Sequence, residues 1–390
     1  MIHFLHVADL HLDRNFQAPK NAIEDLKETN KAVLENIVNA AIERQVDFVL
    51  FVGDTFHQSR TSLKTQAHFF AQLKRLEEAE IQVVLSFGNH DYYEENRYWF
   101  DWGENVKVFK SDKVEQLTLE TATGEKVAIS GFSYTKPEII DSKVSEFPRR
   151  DPSAHFTIGM YHGEQAKAGH YAPFSVDEMK EKNYDYWALG HIHVPEVLST
   201  NRPMIAYAGT PQGHTKKETQ VKGILYVILE ESKAHHEYLP VEEIRYETLR
   251  VDLSECETLG QARQKISEKL LDRATVYTIL LEHTSQLDEE FLRSYHSGEL
   301  LAYFSETFWI ESLKAKQHIH YSRFRLSITK EWAEGFLNKF SFGDVSKNMD
   351  QQMPLELVHL FDEDFFSEVK SNALEELTQE YEWAGEENED

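Results

Sequence analysis

The sequence predicts a layered α/β fold, followed by a small α+β domain and a helical C-terminal segment. Three observations predict it. Short apolar runs bounded by Gly, Asp or Asn recur through the first part of the chain, as buried strands do. A long helical pattern separates the first two runs. Near Val241 the texture changes. The boundaries implied are residues 1–243 for the first domain, 244–328 for the second, 329–383 for the helical segment and 384–390 for an acidic tail.

The strand candidates are Ile2 to Ala8, Phe48 to Val52, Val83 to Phe87, Val127 to Phe132, Phe156 to Tyr161, Tyr186 to Leu189, Ile205 to Ala208 and Ile224 to Leu229. Between the first two, Ile23, Leu26, Val33, Leu34, Ile37, Val38, Ala41 and Ile42 recur at helical spacing. A second helix is expected from Ser62 to Ala79. Strand–helix–strand order implies right-handed crossovers. The later strands come closer together, which points to partly antiparallel sheet. In the second domain, strands at Leu249 to Leu253, Thr275 to Glu282 and Phe308 to Ala315 alternate with helices at Thr258 to Leu271 and Asp288 to Ser294. Beyond Lys330, the residues Leu355, Val358, Phe361, Phe365, Val369 and Leu377 form an irregular apolar face. Such a face packs on its own domain or docks a partner.

Five short motifs collect oxygen and nitrogen ligands: Asp9-Leu10-His11, Gly53-Asp54, Gly88-Asn89-His90-Asp91, His162-Gly163 and Gly190-His191-Ile192-His193. Alone, each is weak; an isolated Asp-x-His is usually a surface turn, and an isolated Gly-Asp says nothing. Each, however, follows a predicted strand, at the sheet edge where open α/β folds place their sites. A strand period of two would point Asp9 and His11 to one face. Together the motifs offer Asp9, His11, Asp54, Asn89, His162, His191 and His193, a ligand set for two adjacent metal ions, with His90 to spare. Borderline divalent metals accept mixed carboxylate and imidazole ligands. Asp54 is the natural bridge, and Asn89 fills a position without adding charge. Paired metals activate water and clamp the oxygens of a phosphoester.

Other residues are weaker candidates. His6 has the opposite parity to Asp9 and His11, so a core role is expected. His235 and His236 sit in a surface-like stretch, and His214 in a turn. Arg14, Lys216 and Lys217 are candidate phosphate contacts, against the simpler reading of solvated charge. Tyr92, Tyr93, Tyr98, Trp99 and Trp102 either stack on bases or pack beneath a loop.

The ordered set of motifs resembles the calcineurin-like metallophosphoesterase superfamily. Gly53-Asp54-Thr55-Phe56-His57 looks like the Gly-Asp-x-Phe-His of its DNA-repair exonucleases, the SbcD and YhaO type. The Asp-Arg-Gly continuation of the superfamily's Ser/Thr phosphatases is absent. Tyr207-Ala208-Gly209-Thr210-Pro211-Gln212-Gly213 is similar to the Tyr-x-Gly-Ser-Pro-Gln-Gly of the same branch, with Thr keeping the hydroxyl. The resemblance covers residues 1 to 240; the next domain matches the family's capping domain in position and size only.

What the resemblance implies is specific. The fold is a layered β-sandwich flanked by helices. Metal one is held by Asp9, His11, Asp54 and His193, and metal two by Asp54, Asn89, His162 and His191. His90 is the acid for the leaving oxygen, oriented by Asp91, and His57 hydrogen-bonds the scissile phosphate or positions DNA. Manganese is the usual ion. The reaction is DNA phosphodiester hydrolysis, as an exonuclease with some endonuclease activity, in DNA repair. The partners are an SMC-like ATPase of the SbcC or YhaN kind and a second copy of the chain. The alternatives are a phosphatase, a cyclic-nucleotide phosphodiesterase, or a vestigial, non-catalytic member of an assembly; the Gly-Asp-x-Phe-His match, the residues beyond the first domain and the complete ligand set count against them.

Bulk properties bound these readings. The chain has 390 residues, 41% of them apolar, enough for two or three domains. No stretch approaches the ~18 apolar residues of a membrane span, and the apolar run Phe4 to Ala8 leads straight into Asp9 and His11, unlike a cleaved leader. Cys256, the only cysteine, has no nucleophile context, and a single thiol suits a reducing, cytoplasmic setting. The net charge of −26 argues against clamping nucleic acid over the whole surface. Twelve Asp or Glu residues and one lysine fall between Phe361 and Asp390. Two divalent ions would add about four positive charges beside Asp9 and Asp54, making the site itself electropositive.

Overall fold

The computed structural model describes residues 1–315, except 27, 232 and 271–273, together with Lys370. The chain divides into two compact units, Met1–His318 and Ile319–Asp390. The expected helical segment, its apolar face and the acidic tail lie outside the described residues, apart from Lys370, which is helical.

In the first unit the strands are β1 (Ile2–Val7), β2 (Phe48–Val52), β3 (Gln82–Ser86), β4 (Val106–Val108), β5 (Glu115–Glu120), β6 (Lys126–Gly131), β7 (Phe156–His162), β8 (Tyr186–Gly190), β9 (Glu196–Ser199), β10 (Met204–Tyr207), β11 (Gly223–Leu229), β12 (Ala234–Pro240), β13 (Arg245–Asp252), β14 (Thr275–Glu282) and β15 (Trp309–Ala315). The helices are α1 (Ile23–Leu26), α2 (Thr29–Glu43), α3 (Leu63–Glu78), α4 (Val176–Glu181), α5 (Leu259–Ser267), α6 (Glu289–Ser297) and α7 (Glu299–Ser305). Three sheets result, with orders β12-β11-β1-β2-β3-β4, β5-β6-β7-β8-β10-β9 and β13-β14-β15.

The first two sheets stack as the layered sandwich that the resemblance implies. Alternation along the strands decides which residues meet. Phe4, Phe48, Leu50 and Val84 face inward and meet Ile129, Ile158, Met160 and Ala188 of the second sheet. Leu5, Val49, Phe51 and Leu85 face the other way, against Val33, Leu34 and Ile37 of α2 and Phe69 and Leu73 of α3. Central strands buried on both faces need apolar residues at most positions, which is why they read as near-continuous runs. α3 begins where Ser62 caps it, its Oγ accepting from the Thr65 amide at 3.1 Å. On the outer face of the second sheet, Tyr161, Trp187 and Tyr207 lie under Phe147, Phe174 and Tyr184. The third sheet is parallel throughout, with β13 paired to β14 and β14 to β15. α5, α6 and α7 cover one face through Ile266, Phe291 and Phe304.

Four strands escape the sequence pattern: β4, β5, β9 and β12. Each is an edge of its sheet. An edge strand buries less and carries polar residues that blunt further pairing. Glu115-Gln116-Leu117-Thr118-Leu119-Glu120 is such a strand, and so is the stretch carrying the exposed His235 and His236. The short helices α4 and α7 are likewise absent from the expected elements.

Gly159 of β7 lies opposite Trp187 of β8. A Cβ at Gly159 would come within 2.3 Å of the indole. Trp187 is fully buried and cannot move aside. Gly159→Ala should therefore lower stability by about 1–3 kcal/mol, read as an earlier urea midpoint; an unchanged midpoint would contradict this packing.

Candidate metal centre

The carboxyl ends of β1, β2 and β3 in one sheet and of β7 and β8 in the other converge on one place. Asp54, Asn89 and His191 lie just beyond their strands, and His162 is the last residue of β7. The loops after β1 and β2 continue side by side beyond the sheet. The Asp9 amide donates to the Gly53 carbonyl at 3.2 Å, that of His11 to Asp54 at 2.9 Å and that of Leu12 to Thr55 at 2.9 Å.

Asp9 and His11 are not strand residues, contrary to the expected period of two. β1 ends at Val7, and Asp9 and His11 have φ of 52° and 48°, with Asp54 at 51°. Left-handed backbone costs about 1–2 kcal/mol per non-glycine residue. The ladder between the two loops holds them there. Ligands press so closely on the backbone that Gly53 and Gly88 admit no side chain. A Cβ would come within 2.3 Å of His162 Nδ1 at the first and within 2.2 Å of Asp54 Oδ1 at the second.

All seven expected ligands are brought together. His11 Nε2 and His193 Nε2 face each other at 3.0 Å. Asp54 Oδ2 lies 3.8 Å from His11 Nε2 and 3.5 Å from His162 Nε2. Asn89 Oδ1 is 3.1 Å from His162 Nε2 and 3.2 Å from His191 Nδ1. Both oxygens of Asp9 accept from the His191 amide at 3.0 Å. Ligand atoms of Asp9, His11 and His193 lie within 4.8 Å of one another, as do those of Asp9, Asp54 and His162.

The electrostatics fit bound cations. Asp9 and Asp54 are buried, and among the described residues no lysine or arginine pairs with either. Burial pushes the Asp9 carboxyl up to about 6, against the pull of His162 and His193. Burial acts the same way on Asp54, but His162 and His11 outweigh it and hold the group well below the carboxylate range. Burial would lower His162, yet Asp54 raises it to about 9. Burial drives His11 far down and His191 to about 3, leaving neutral imidazoles with free lone pairs. Two carboxylates, an amide oxygen and four imidazoles form a mixed donor set suited to borderline divalent metals, and one that must be deprotonated to bind them.

Around the ligands the structure redistributes some expected roles. Asp91 does not orient His90. Its carboxylate accepts from the backbone amides of Gly88 at 2.7 Å, Asp54 at 3.1 Å and Phe56 at 3.2 Å, and no hydrogen bond joins it to His90. Burial, with Asp54 nearby, raises it to about 7. It fastens two ligand loops together. His90 is exposed, and its own amide donates to Asp54 Oδ1 at 3.0 Å. The half-buried His57 stacks on His90, with centroids 5.3 Å apart. Arg14 stands 3.7 Å from Glu218 at the rim. Lys216 is committed to Glu311 at 2.8 Å, whereas Lys217 is exposed. Tyr93, Tyr98 and Trp102 pack on the helix-side core, while Trp99 remains 76% exposed. His6 is a core residue as expected, 3.0 Å from Tyr186 Oη and 3.1 Å from the Leu189 carbonyl. His214, expected in a turn, is fully buried, with Nε2 2.9 Å from Asn30 Oδ1.

Three further residues support the centre and went unread in the sequence. Glu218 Oε1 lies 2.8 Å from His193 Nδ1, and Oε2 accepts from the amides of His214 and Thr215. Burial would raise Glu218, but the His193 contact dominates and holds it far below the usual range. Thr210 Oγ1 donates to the Asp9 carbonyl at 2.8 Å. Gln212 reads the start of the third sheet: its Oε1 accepts from Glu243 and Ile244 amides, and its Nε2 donates to the Ile244 carbonyl at 2.8 Å. Only the family-like stretch Tyr207 to Gly213 hinted at the last two; no spacing marks Glu218. A carboxylate behind a ligating imidazole fixes its tautomer and raises its basicity. Glu218→Gln should weaken metal binding about 10–100-fold, measured by calorimetric titration of the metal-free protein; an unaltered affinity would rule this support out.

The model of the calcineurin-like phosphoesterase family matches residues 2–195. The chain is 32% identical over 317 residues to the uncharacterized metallophosphoesterase YhaO of Bacillus subtilis, covering 76% of this chain and 78% of that one. It is 24% identical to the DNA double-strand break repair protein Mre11 of Haloferax volcanii, spanning 71% of this chain and only 60% of that protein. It is also 24% identical to the SbcD component of the SbcCD nuclease of Staphylococcus epidermidis, over 68% of this chain and 76% of that one. Both the ligand cluster and the match to YhaO thus place the chain in the calcineurin-like phosphoesterase family, as a metal-binding hydrolase of the type shared with YhaO, Mre11 and SbcD.

Proposed function

We propose that the protein is a manganese-dependent DNA phosphodiesterase, an exonuclease with some endonuclease activity. We propose further that it acts in the cytoplasm in DNA repair, with an SMC-like ATPase of the SbcC or YhaN kind. The observation that carries this reading is the pair of imidazoles His57 and His90, stacked with centroids 5.3 Å apart beside the seven expected ligands. The names of Mre11 and of the SbcCD nuclease support it.

Two divalent ions held by Asp9, His11, Asp54, Asn89, His162, His191 and His193 would supply an activated water and neutralise phosphate charge. The chain's own residues do the rest. His90 is exposed at the mouth, where it delivers a proton to the departing oxygen. Its backbone amide, bonded to Asp54 Oδ1, keeps that imidazole in register with the ligands. His57 and Arg14 hold the scissile phosphate. With a net charge of −26, the surface away from this place repels DNA, so the partner supplies the wider DNA contact. The segment after Lys330 is the proposed docking element.

The same acidity favours a second reading, hydrolysis of a small phosphomonoester or cyclic nucleotide. End-labelled single- and double-stranded DNA with manganese decides between them: no cutting of DNA, with brisk turnover of the small esters, would overturn the first. His90→Asn should lower kcat about 10²–10⁴-fold while metal stoichiometry stays at the parent value; equal DNA cleavage would refute the role of His90. Removing the residues after Lys330 should abolish co-purification of the ATPase and spare hydrolysis of a small diester, and retained co-purification would reject that docking surface.

A further inference from the structure

His11, His57 and His90 come from three different loops, after β1, β2 and β3. One ring nitrogen of each lies within 4.8 Å of the other two. The His11 ring meets His90 edge-on at 5.0 Å between centroids and His57 at 5.5 Å. The grouping contains no carboxylate, unlike the two groupings that include Asp9. His11 Nδ1 and His57 Nδ1 are buried atoms without a hydrogen-bond partner, and His11 is only 1% exposed. Buried polar atoms rarely go unpartnered, and those that do ask for a reason such as strain, a catalytic role, a water or an ion. His90 is exposed, so the cluster opens to solvent.

Imidazole ligands suit zinc, copper and nickel, whereas carboxylate and water suit magnesium and manganese. Three histidines and a water form a familiar coordination sphere for zinc, with Zn–N of about 2.0–2.1 Å. We propose that His11, His57 and His90 form a third metal site, selective for Zn2+, and that zinc bound there switches hydrolysis off. Zinc on His90 takes the lone pair that must carry the proton, and zinc on His57 removes its contact to phosphate. His11 also belongs to the ligand set of the two-ion centre, so zinc competes for that ring with its neighbour. The inhibitory half rests on the reading of His90 as proton donor; the zinc site itself does not.

The test uses the full chain, loaded with excess Mn2+ and titrated with Zn2+ against a colorimetric zinc chelator. One zinc should bind per chain despite the manganese. His57→Phe and His90→Asn should each weaken that zinc at least tenfold while binding Mn2+ like the parent, which controls for folding. Zinc affinity untouched by His57→Phe but reduced by Asp9→Asn would overturn the proposal, because zinc would then occupy the two-ion centre. On the parent protein, one equivalent of zinc should abolish cleavage of a small phosphodiester, and a zinc-selective chelator should restore it; full activity with zinc bound would reject the switch. If no phosphoester is hydrolysed at all, the proposed function fails while the zinc titration still reads.

Discussion

A carboxylate buried with no lysine or arginine beside it governs this structure. Asp54 sits in that position, with the imidazoles of His11 at 3.8 Å and His162 at 3.5 Å as its neighbours. Taking a carboxylate out of water costs several kcal/mol even after relaxation, so its surroundings answer to it. Asp91 grips its amide, and Gly88 gives up its side chain to let its oxygen approach. His162 is pushed toward the protonated form as a substitute counter-charge. A polyhedron of ligands arranged around one anion is a place built to be completed by cations.

That arrangement also explains why two sheets are needed. Asp9, His11, Asp54 and Asn89 hang from the first, and His162, His191 and His193 from the second. Cross-ties fix one set against the other. His162 Nδ1 reaches the Val52 carbonyl at 3.0 Å, the His191 amide reaches Asp9, and His6 reaches the Leu189 carbonyl. Each tie joins a strand end of one layer to a strand end of the other, so the apolar sandwich below sets the spacing of the ligands above.

Legibility in the sequence follows burial. Strands packed on both faces were readable as apolar runs, and ligand residues were readable because each follows such a run. Edge strands were not, because solvent on one side lets polar residues such as Gln116, Thr118 and His236 stand in them. The site shows the same division. The candidate ligands carry a type signature in Asp, Asn and His. Residues that hold those side chains do not: the resemblance implies Asp91 as the group that orients His90, and only the fold reveals that its oxygens face backbone amides. Glu218 is 25 positions from His193 and unremarkable in composition, so no local pattern could join them.

Gln212 gives the molecule an unusual mechanical property. By bonding both the amide and the carbonyl of Ile244, its side chain imitates a neighbouring strand at the point where the chain leaves β12 for β13. The Tyr246 hydroxyl adds a bond to the His214 carbonyl at 2.9 Å. Two residues before Gln212, Thr210 holds the carbonyl of Asp9. The connector is therefore a strut rather than a hinge: a pull on the third sheet is felt within a few bonds at Asp9, a candidate metal ligand, with no slack loop between them.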